Sequence, residues 1–457
     1  MTLYSIVTVS PKKITPYKRY ECKSSPLEYT GPKGSDLAQL GVQKLLLLES
    51  IMTKFHSYFN SVQVKGLESS GLDLWRRSTT RRNTLSSFLS LALGLPGIAL
   101  SAFASQSPNS IHLNNNLGSP KKFSFPHDLG AHPGFQTEWW YITGFTQSGD
   151  APGTLGFQVT FFRSKVAAAQ GSSSKLAAKH LLFAHAAVSD VAGKTLHSDQ
   201  RIARWSGLPA GSNPADQAWA RTDDTGLLLQ DWSLTRQSDG RLAAKVQAKG
   251  FALDLSFAQT QPLLLQGQGG VSRKGPSPQH FSYYYSLPQL AVQGQIRLQA
   301  RSYTAGAGSL AWLDHEWSDA LLPPGAVGWD WIGINMLDGS ALTAFQLRDK
   351  AGRAVWDGGS FRAGSTLYTF AQGETVFQPT HWWQSPRSQA RYPVQWLVRT
   401  PADFYTVKAV FEAQELDSRN STGAIYWEGL CEVLDSQQRL VGRGYLEMTG
   451  YASPLRL

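Results

Sequence analysis

The sequence predicts an all-β protein made of two antiparallel β-barrel domains that follow an N-terminal extension. Three observations carry this. Short apolar or alternating runs recur with turn signals between them, no stretch shows an amphipathic helix of convincing length, and one hairpin pattern occurs twice. The 42 glycines and 23 prolines supply turn residues, and the 15 tryptophans favour pleated, half-buried strands.

Taken in order, residues 1–75 have no periodicity beyond the apolar run Leu45–Leu48 and receive no function. Paired arginines at Arg76-Arg77 and Arg81-Arg82 then lead into SSFLSLALGLPGIALSAFA, and no Lys, Arg, Asp or Glu occurs from Asn83 to Pro120. A basic segment, an apolar core and the small residues around Ala102 and Ala104 read as an export signal cleaved after Ala104, with arginines suited to twin-arginine export. Gly, Ser and Pro inside the apolar core make it too weak for a membrane span, so the mature chain is expected to have none and to be periplasmic or secreted. Residues 1–104 thus form an extension with a signal, and the Ser/Asn/Pro-rich residues 105–125 a linker.

Strands are expected at Trp139–Phe145, Leu155–Phe162, Leu181–Val188, Gly226–Leu234, Leu242–Ala248 and Ala252–Ala258. Ser164–Ala178 is a loop with at most partial helix. In the second half strands are expected at Leu367–Phe370, Val394–Thr400, Tyr405–Glu412, Ile425–Val433 and Tyr445–Met448. The repeated hairpin is Trp140-Tyr-Ile-Thr-Gly144 with Phe157-Gln-Val159, matched by Trp329-Asp-Trp-Ile-Gly333 with Phe345-Gln-Leu347. It suggests two related domains, 126–290 and 291–457, with the boundary near Leu287–Gln299, where Pro288 and Gly294 interrupt the chain.

Composition also excludes. The formal charge is +10, but residues 1–104 hold 13 Lys/Arg against 6 Asp/Glu, and the remainder 30 against 27. The basic character lies in the extension, and no basic patch supports nucleic-acid binding. Cys22 and Cys431 are the only cysteines, too few for a Cys-based metal site. His180 and His185 are five apart and face opposite ways on a strand, so no spacing supports a metal, and no cofactor is expected. There is no Gly-x-Ser-x-Gly elbow, and the glycine-rich Gln266–Gly270 opens no helix that could cradle phosphate.

Seven motifs resemble the AttH family: HPGFQTEWWY (His132–Tyr141), FAHAAVSD (Phe183–Asp190), PLLLQ (Pro262–Gln266), SYYYS (Ser282–Ser286), WLDHEWS (Trp312–Ser318), GWDW (Gly328–Trp331) and GRGYLE (Gly442–Glu447). The resemblance spans essentially the whole mature chain. It implies two lipocalin-like, calycin-type barrels grouped with the carotenoid 1,2-hydratases, a group often labelled only as secreted hydrolases. It leaves two functions open. One is an exported protein that binds a lipophilic, isoprenoid or lipid ligand, with an export-type transporter permease as its partner. The other is a hydro-lyase that adds water to a terminal isoprenoid double bond.

Candidate site residues lie in Ser309–Arg348, where acids alternate with tryptophans. Hydrating an alkene needs a protonated acid, aromatic walls that tolerate a tertiary cation, and a base for water. Asp330 shares a strand face with Ile332 and Ile334 and is the first choice of acid. Asp314 and His315, with Glu316, are the second, and the resemblance points to the same stretch. Trp317, Trp329 and Trp331 are candidate ligand-binding walls, as are Trp139, Trp140 and Tyr141. Glu138 either lines the first barrel as a ligand-binding residue or pairs with an arginine such as Arg163. His185 reads as a core histidine, and Tyr283–Tyr285 as core and rim aromatics.

Overall fold

The computed structural model describes residues 121–147, 154–320 and 322–455. The expected export signal and nearly all of the linker lie outside the described residues. Among the described residues the only helical pieces are two single 3₁₀ turns, His127–Leu129 and Ala167–Ala169.

The first sheet opens with β1 (Thr137–Gln147), β2 (Thr154–Lys165), β3 (His180–Asp190) and β4 (Thr195–Trp205). It continues through β5 (Ala218–Ala220), β6 (Gly226–Leu229), β7 (Trp232–Arg236), β8 (Leu242–Ala248) and β9 (Phe251–Ala258). Its last strands are β10 (Leu264–Leu265), β11 (Val271–Arg273), β12 (Phe281–Leu298), β13 (Arg301–Thr304) and β14 (Leu310–Ser318). The second sheet begins with β15 (Gly328–Met336), β16 (Ala341–Arg348), β17 (Ala354–Ala363), β18 (Thr366–Phe370) and β19 (Val376–Gln384). It ends with β20 (Arg391–Arg399), β21 (Phe404–Ala409), β22 (Glu415–Ser418), β23 (Ala424–Leu434) and β24 (Leu440–Met448).

Both sheets repeat one connectivity. The order is β4-β3-β2-β1-β14-β12-β9-β8-β7-β6-β5 in the first and β18-β17-β16-β15-β24-β23-β21-β20-β19 in the second. In each, the opening strand pairs antiparallel with the final strand, β1 with β14 and β15 with β24. The first sheet curls into a nearly closed barrel. Its end strands share no ladder, but Arg204 near the end of β4 donates to the Ala215 carbonyl at 3.0 Å, and Ser206 just beyond β4 donates to Asp216 before β5.

The repeated hairpins occupy equivalent places, as β1–β2 and β15–β16. Their shared glycine has a steric reason. A Cβ on Gly144 would lie 2.5 Å from the Leu310 carbonyl oxygen, and one on Gly333 would lie 2.3 Å from the Trp331 ring.

Burial patterns show how the barrels meet. In β8, Leu242, Ala244, Val246 and Ala248 are buried while Lys245 and Gln247 are exposed, the alternation of a strand with one wet face. By contrast β14, β15 and β16 are buried on nearly every residue. One face of each serves its own barrel core, around Trp140, Phe161 and Leu313 in the first and around Ile332, Trp396 and Trp427 in the second. The other face joins a third cluster between the sheets, including Tyr141, Trp312, Trp331, Phe345, Leu430 and Tyr445.

Two sequence expectations are corrected. The boundary placed at residue 290/291 falls inside β12, and the chain leaves the first sheet only after Ser318. Pro288 marks a register shift between Leu287 and Leu290 within that strand rather than a break between domains. The strand expected at Gly226–Leu234 is a hairpin, turned at Gln230 with a φ of 57°.

Candidate functional site

The site follows from the period of two in three neighbouring strands. On β14, Trp312, Asp314 and Glu316 share one face, and Leu313, His315 and Trp317 the other. Register places Tyr141 and Ser286 beside Asp314, and Trp139 and Tyr284 beside Glu316. It places Trp140 and Tyr285 beside His315, and Glu138 and Tyr283 beside Trp317. The Asp-His-Glu-Trp motif is therefore divided between two environments. The expected Asp314–His315 acid/base pair does not form, because an unbent strand sends neighbours to opposite faces.

The outer face lines a cavity of about 570 Å³ between the barrels. From the first sheet it receives Trp139, Tyr141, Asp314 and Glu316, and from the following loops Lys274 and Asp319. From the second it receives Trp329, Trp331, Phe345, Glu428 and Glu447. Three carboxyls here are pushed toward their neutral form. Burial drives the Asp314 carboxyl up to about 7, against hydrogen bonds from Ser286 Oγ at 2.5 Å and from Tyr284 OH and Trp312 Nε1 at 2.7 Å each. Burial, then the nearby Asp314 and Glu316 charges, raises Glu447 above the ordinary carboxylate range. Burial and the adjacent Glu447, its partner across the β23–β24 ladder, raise Glu428 well above that range. Both Glu428 oxygens and the Tyr141 hydroxyl are buried without a hydrogen-bond partner. Glu316 differs, since Lys274 Nζ pairs with it at 2.9 Å while lying over the Tyr284 and Phe345 rings.

On the inner face, Glu138 Oε1 meets His132 Nδ1 at 2.8 Å and His315 Nε2 at 2.9 Å, and Oε2 accepts from Arg163 Nε at 2.9 Å. The His132 backbone N–H also donates to this carboxylate. Burial alone would raise its pKa, but these hydrogen bonds and the Arg163 charge hold it well below the usual carboxylate range. Burial holds His315 down to about 4, so it is neutral near pH 7, with Nδ1 2.9 Å from Tyr285 OH. His132, Glu138 and His315 are residue types that bind metals and their ligand atoms lie close together. Here the carboxylate already serves Arg163 and both histidines at hydrogen-bond distances, and His132 Nε2 is 3.1 Å from Asp128. The arrangement is a charge-compensated network that needs no ion to satisfy it.

Of the sequence candidates, Trp139, Tyr141, Asp314, Glu316, Trp329 and Trp331 converge on the cavity. Glu138, Trp140, His315 and Trp317 face the first barrel's interior, and Glu138 takes the arginine partner that the sequence left open. Asp330 shares the face of Ile332 and Ile334 inside the second barrel, as its spacing implied. There it pairs with Arg348 Nε at 3.0 Å and accepts from Gln346 and Tyr451. An ion-paired carboxylate turned away from the cavity is not placed to protonate a ligand, which corrects its choice as the acid. His185 is a buried interbarrel contact, 2.8 Å from both Tyr426 OH and Ser421 Oγ.

Sequence reasoning missed Glu428, Glu447, Lys274 and Tyr284. The two glutamates carried the signal used for Asp330, since Glu428 alternates with Tyr426 and Leu430, and Glu447 follows Tyr445 by two.

A family model described as AttH-like matches residues 116–451. The crystal structure of a candidate AttH protein from Nitrosomonas europaea is 41% identical over 73% of this chain and 99% of that chain, with a TM-score of 0.66. Kievitone hydratase from Nectria haematococca is similar in fold, with 12% identity, a TM-score of 0.55 and coverage of 73% of this chain and 94% of that one. No curated protein matches the chain.

Proposed function

Given that the chain belongs to the AttH-like family, we propose that its interbarrel cavity binds a lipophilic, unsaturated small molecule and adds water to it by carboxylic-acid catalysis. One observation carries this reading. Asp314, a carboxyl raised to about 7 by burial and so still substantially protonated at neutrality, lines an aromatic cavity on the same strand face as the ion-paired Glu316.

The chemistry follows from those two states. Asp314 gives its proton to one alkene carbon, and the cation forms at the more substituted carbon. The faces of Trp139, Trp329 and Trp331 disperse that charge. Water adds its oxygen to the cation and passes a proton to Glu316, whose charge Lys274 balances. The new Asp314 carboxylate keeps donors from Tyr284, Ser286 and Trp312, which strengthen as its charge develops. Proton exchange through solvent resets both groups. A terminal isoprenoid double bond is the substrate class that the family resemblance implies.

The apolar walls also suit passive carriage of a lipophilic ligand after export, with a transporter permease as the partner. That reading leaves the buried acids without a role, so hydration ranks first. The test is mass spectrometry after incubating the full chain with acyclic isoprenoids in oxygen-18 water. Hydration yields product with one labelled oxygen. Asp314→Asn lowers the rate by roughly 10²–10⁴-fold, whereas Asp330→Asn leaves turnover in place. Unchanged isoprenoids, with lipid co-extracting from the protein, would establish carriage instead.

A further inference from the structure

We propose that the interbarrel cavity is also a receptor for lipophilic monocations, such as quaternary or protonated amines whose apolar body lies against its tryptophans. The inference rests on the reading of this cavity as the ligand site, but not on the hydration step.

The first observation is an imbalance of charge. Five carboxyls, Asp314, Glu316, Asp319, Glu428 and Glu447, line the space, and Lys274 is committed to Glu316 at 2.9 Å. Arg163, whose residue also reaches the lining, spends its guanidinium on Glu138, the His132 and Phe135 carbonyls, and His180 on the inner side. No cation among the described residues is within ion-pair distance of Asp314, Glu428 or Glu447.

The second observation is independent of that count. Glu428 is 2% exposed, lines the cavity, and has no oxygen within hydrogen-bond distance of a donor; the Tyr141 and Tyr426 hydroxyls lie nearby, but neither closes to such a distance, and that of Tyr141 is itself without a partner. Buried polar atoms are nearly always satisfied, so a pair of orphan oxygens facing a void calls for a group supplied from outside. The third observation is the wall itself. Trp139 from the first sheet and Trp329 and Trp331 from the second line it on both sides, and a cation removed from water over an indole face is stabilised by the ring quadrupole. The volume lies within the ~300–1,000 Å³ of small-molecule sites.

A neutral lipophile would leave the carboxyls unanswered, and a hydrated inorganic cation would waste the rings. A lipophilic cation uses both. Its arrival favours the ionised form of the acids, so binding releases protons and tightens with rising pH. The groups that set this response are Asp314 and Glu316 on β14, Glu428 and Tyr426 on β23, and Glu447 and Tyr445 on β24. Tyr141 on β1, Tyr284 on β12, Lys274 and Asp319 complete the surround.

The experiment is calorimetric titration of the full chain with phenethyltrimethylammonium and with its neutral isostere, 3,3-dimethylbutylbenzene. At pH 8 the cation is expected to bind at least about tenfold more tightly than the isostere, with the preference shrinking by pH 5. Glu428→Gln and Glu447→Gln should each weaken the cation by roughly tenfold and leave the isostere unchanged. Both replacements exchange a carboxyl for an amide of the same size and leave no ion pair broken, so the fold is retained. Equal affinities, tighter binding of the isostere, or no binding of the cation at either pH would overturn the proposal. Oxygen-18 incorporation into an isoprenoid alongside any of those outcomes would leave the hydratase reading standing. Cation binding without incorporation would do the reverse.

Discussion

On the inner face of β1, β14 and β12, Glu138 is enclosed by Arg163, His132 and His315, and every charge has an answer within 3.0 Å. On the outer face of the same strands and the facing strands of the second sheet, Asp314 and Glu428 are nearly as deeply buried, with Glu447 half-buried beside them, but all three lack a cation. Burial is common to both faces, so burial does not separate a structural acid from a functional one. What separates them is whether the fold supplies the counter-charge. Where it does, the acid is ionised and holds the barrel together. Where it does not, the acid is kept neutral and can give a proton or receive a ligand.

Removing one partner from the compensated side should have the largest effect. Glu138→Ala leaves Arg163 buried without its carboxylate and should lower unfolding free energy by about 3–5 kcal/mol in urea titration. A loss below about 1 kcal/mol would erase the distinction between the faces. A smaller effect is expected from pH. Between about pH 4 and 7 the folded protein holds an Asp314 proton that the unfolded chain has released, so this group makes stability fall as pH rises through that window. Glu447, also raised, acts in the same direction. His185, held down to about 3 by burial, and His315, held to about 4, oppose them. For these, the unfolded chain takes up protons below about 6.5 that the folded protein refuses, so stability falls as pH drops. The double variant Asp314→Asn/Glu447→Gln should therefore move the stability optimum to higher pH and gain roughly 1–2 kcal/mol at pH 8. A thermal melting series across pH 4–9 reads the shift, and an unmoved optimum would place both acids among the compensated ones. The smallest effect belongs to Glu428→Gln, which replaces a neutral buried group by another of its size and should change stability by less than about 1 kcal/mol at pH 7. A loss like that of Glu138→Ala would mean that Glu428 has a partner within the fold.

Much of this was legible in the chain. The period of two correctly put Asp330 with Ile332 and Ile334 and Glu138 with Trp140. The repeated Trp…Gly…Phe hairpin marked equivalent corners of two sheets with one connectivity. Legibility failed where two strands distant in sequence had to be set side by side. Asp330 and Glu447 give the same signal, an acid spaced by two from apolar residues. The first meets Arg348, eighteen residues on, inside a barrel, and the second meets Glu428 and Trp331 outside one. Spacing reports that residues share a face, but it cannot report which face turns to the core and which to a neighbouring sheet.

The sequence by itself determined the strands, their alternating faces, the turns and the family to which these motifs belong, because steric pleating and turn chemistry are local. Tertiary structure alone decided which carboxyls meet a guanidinium and which meet only one another. A counter-charge acts through space, over a few ångströms and across any length of chain, and so the ionisation states that make a site are properties of the packed barrels rather than of any segment.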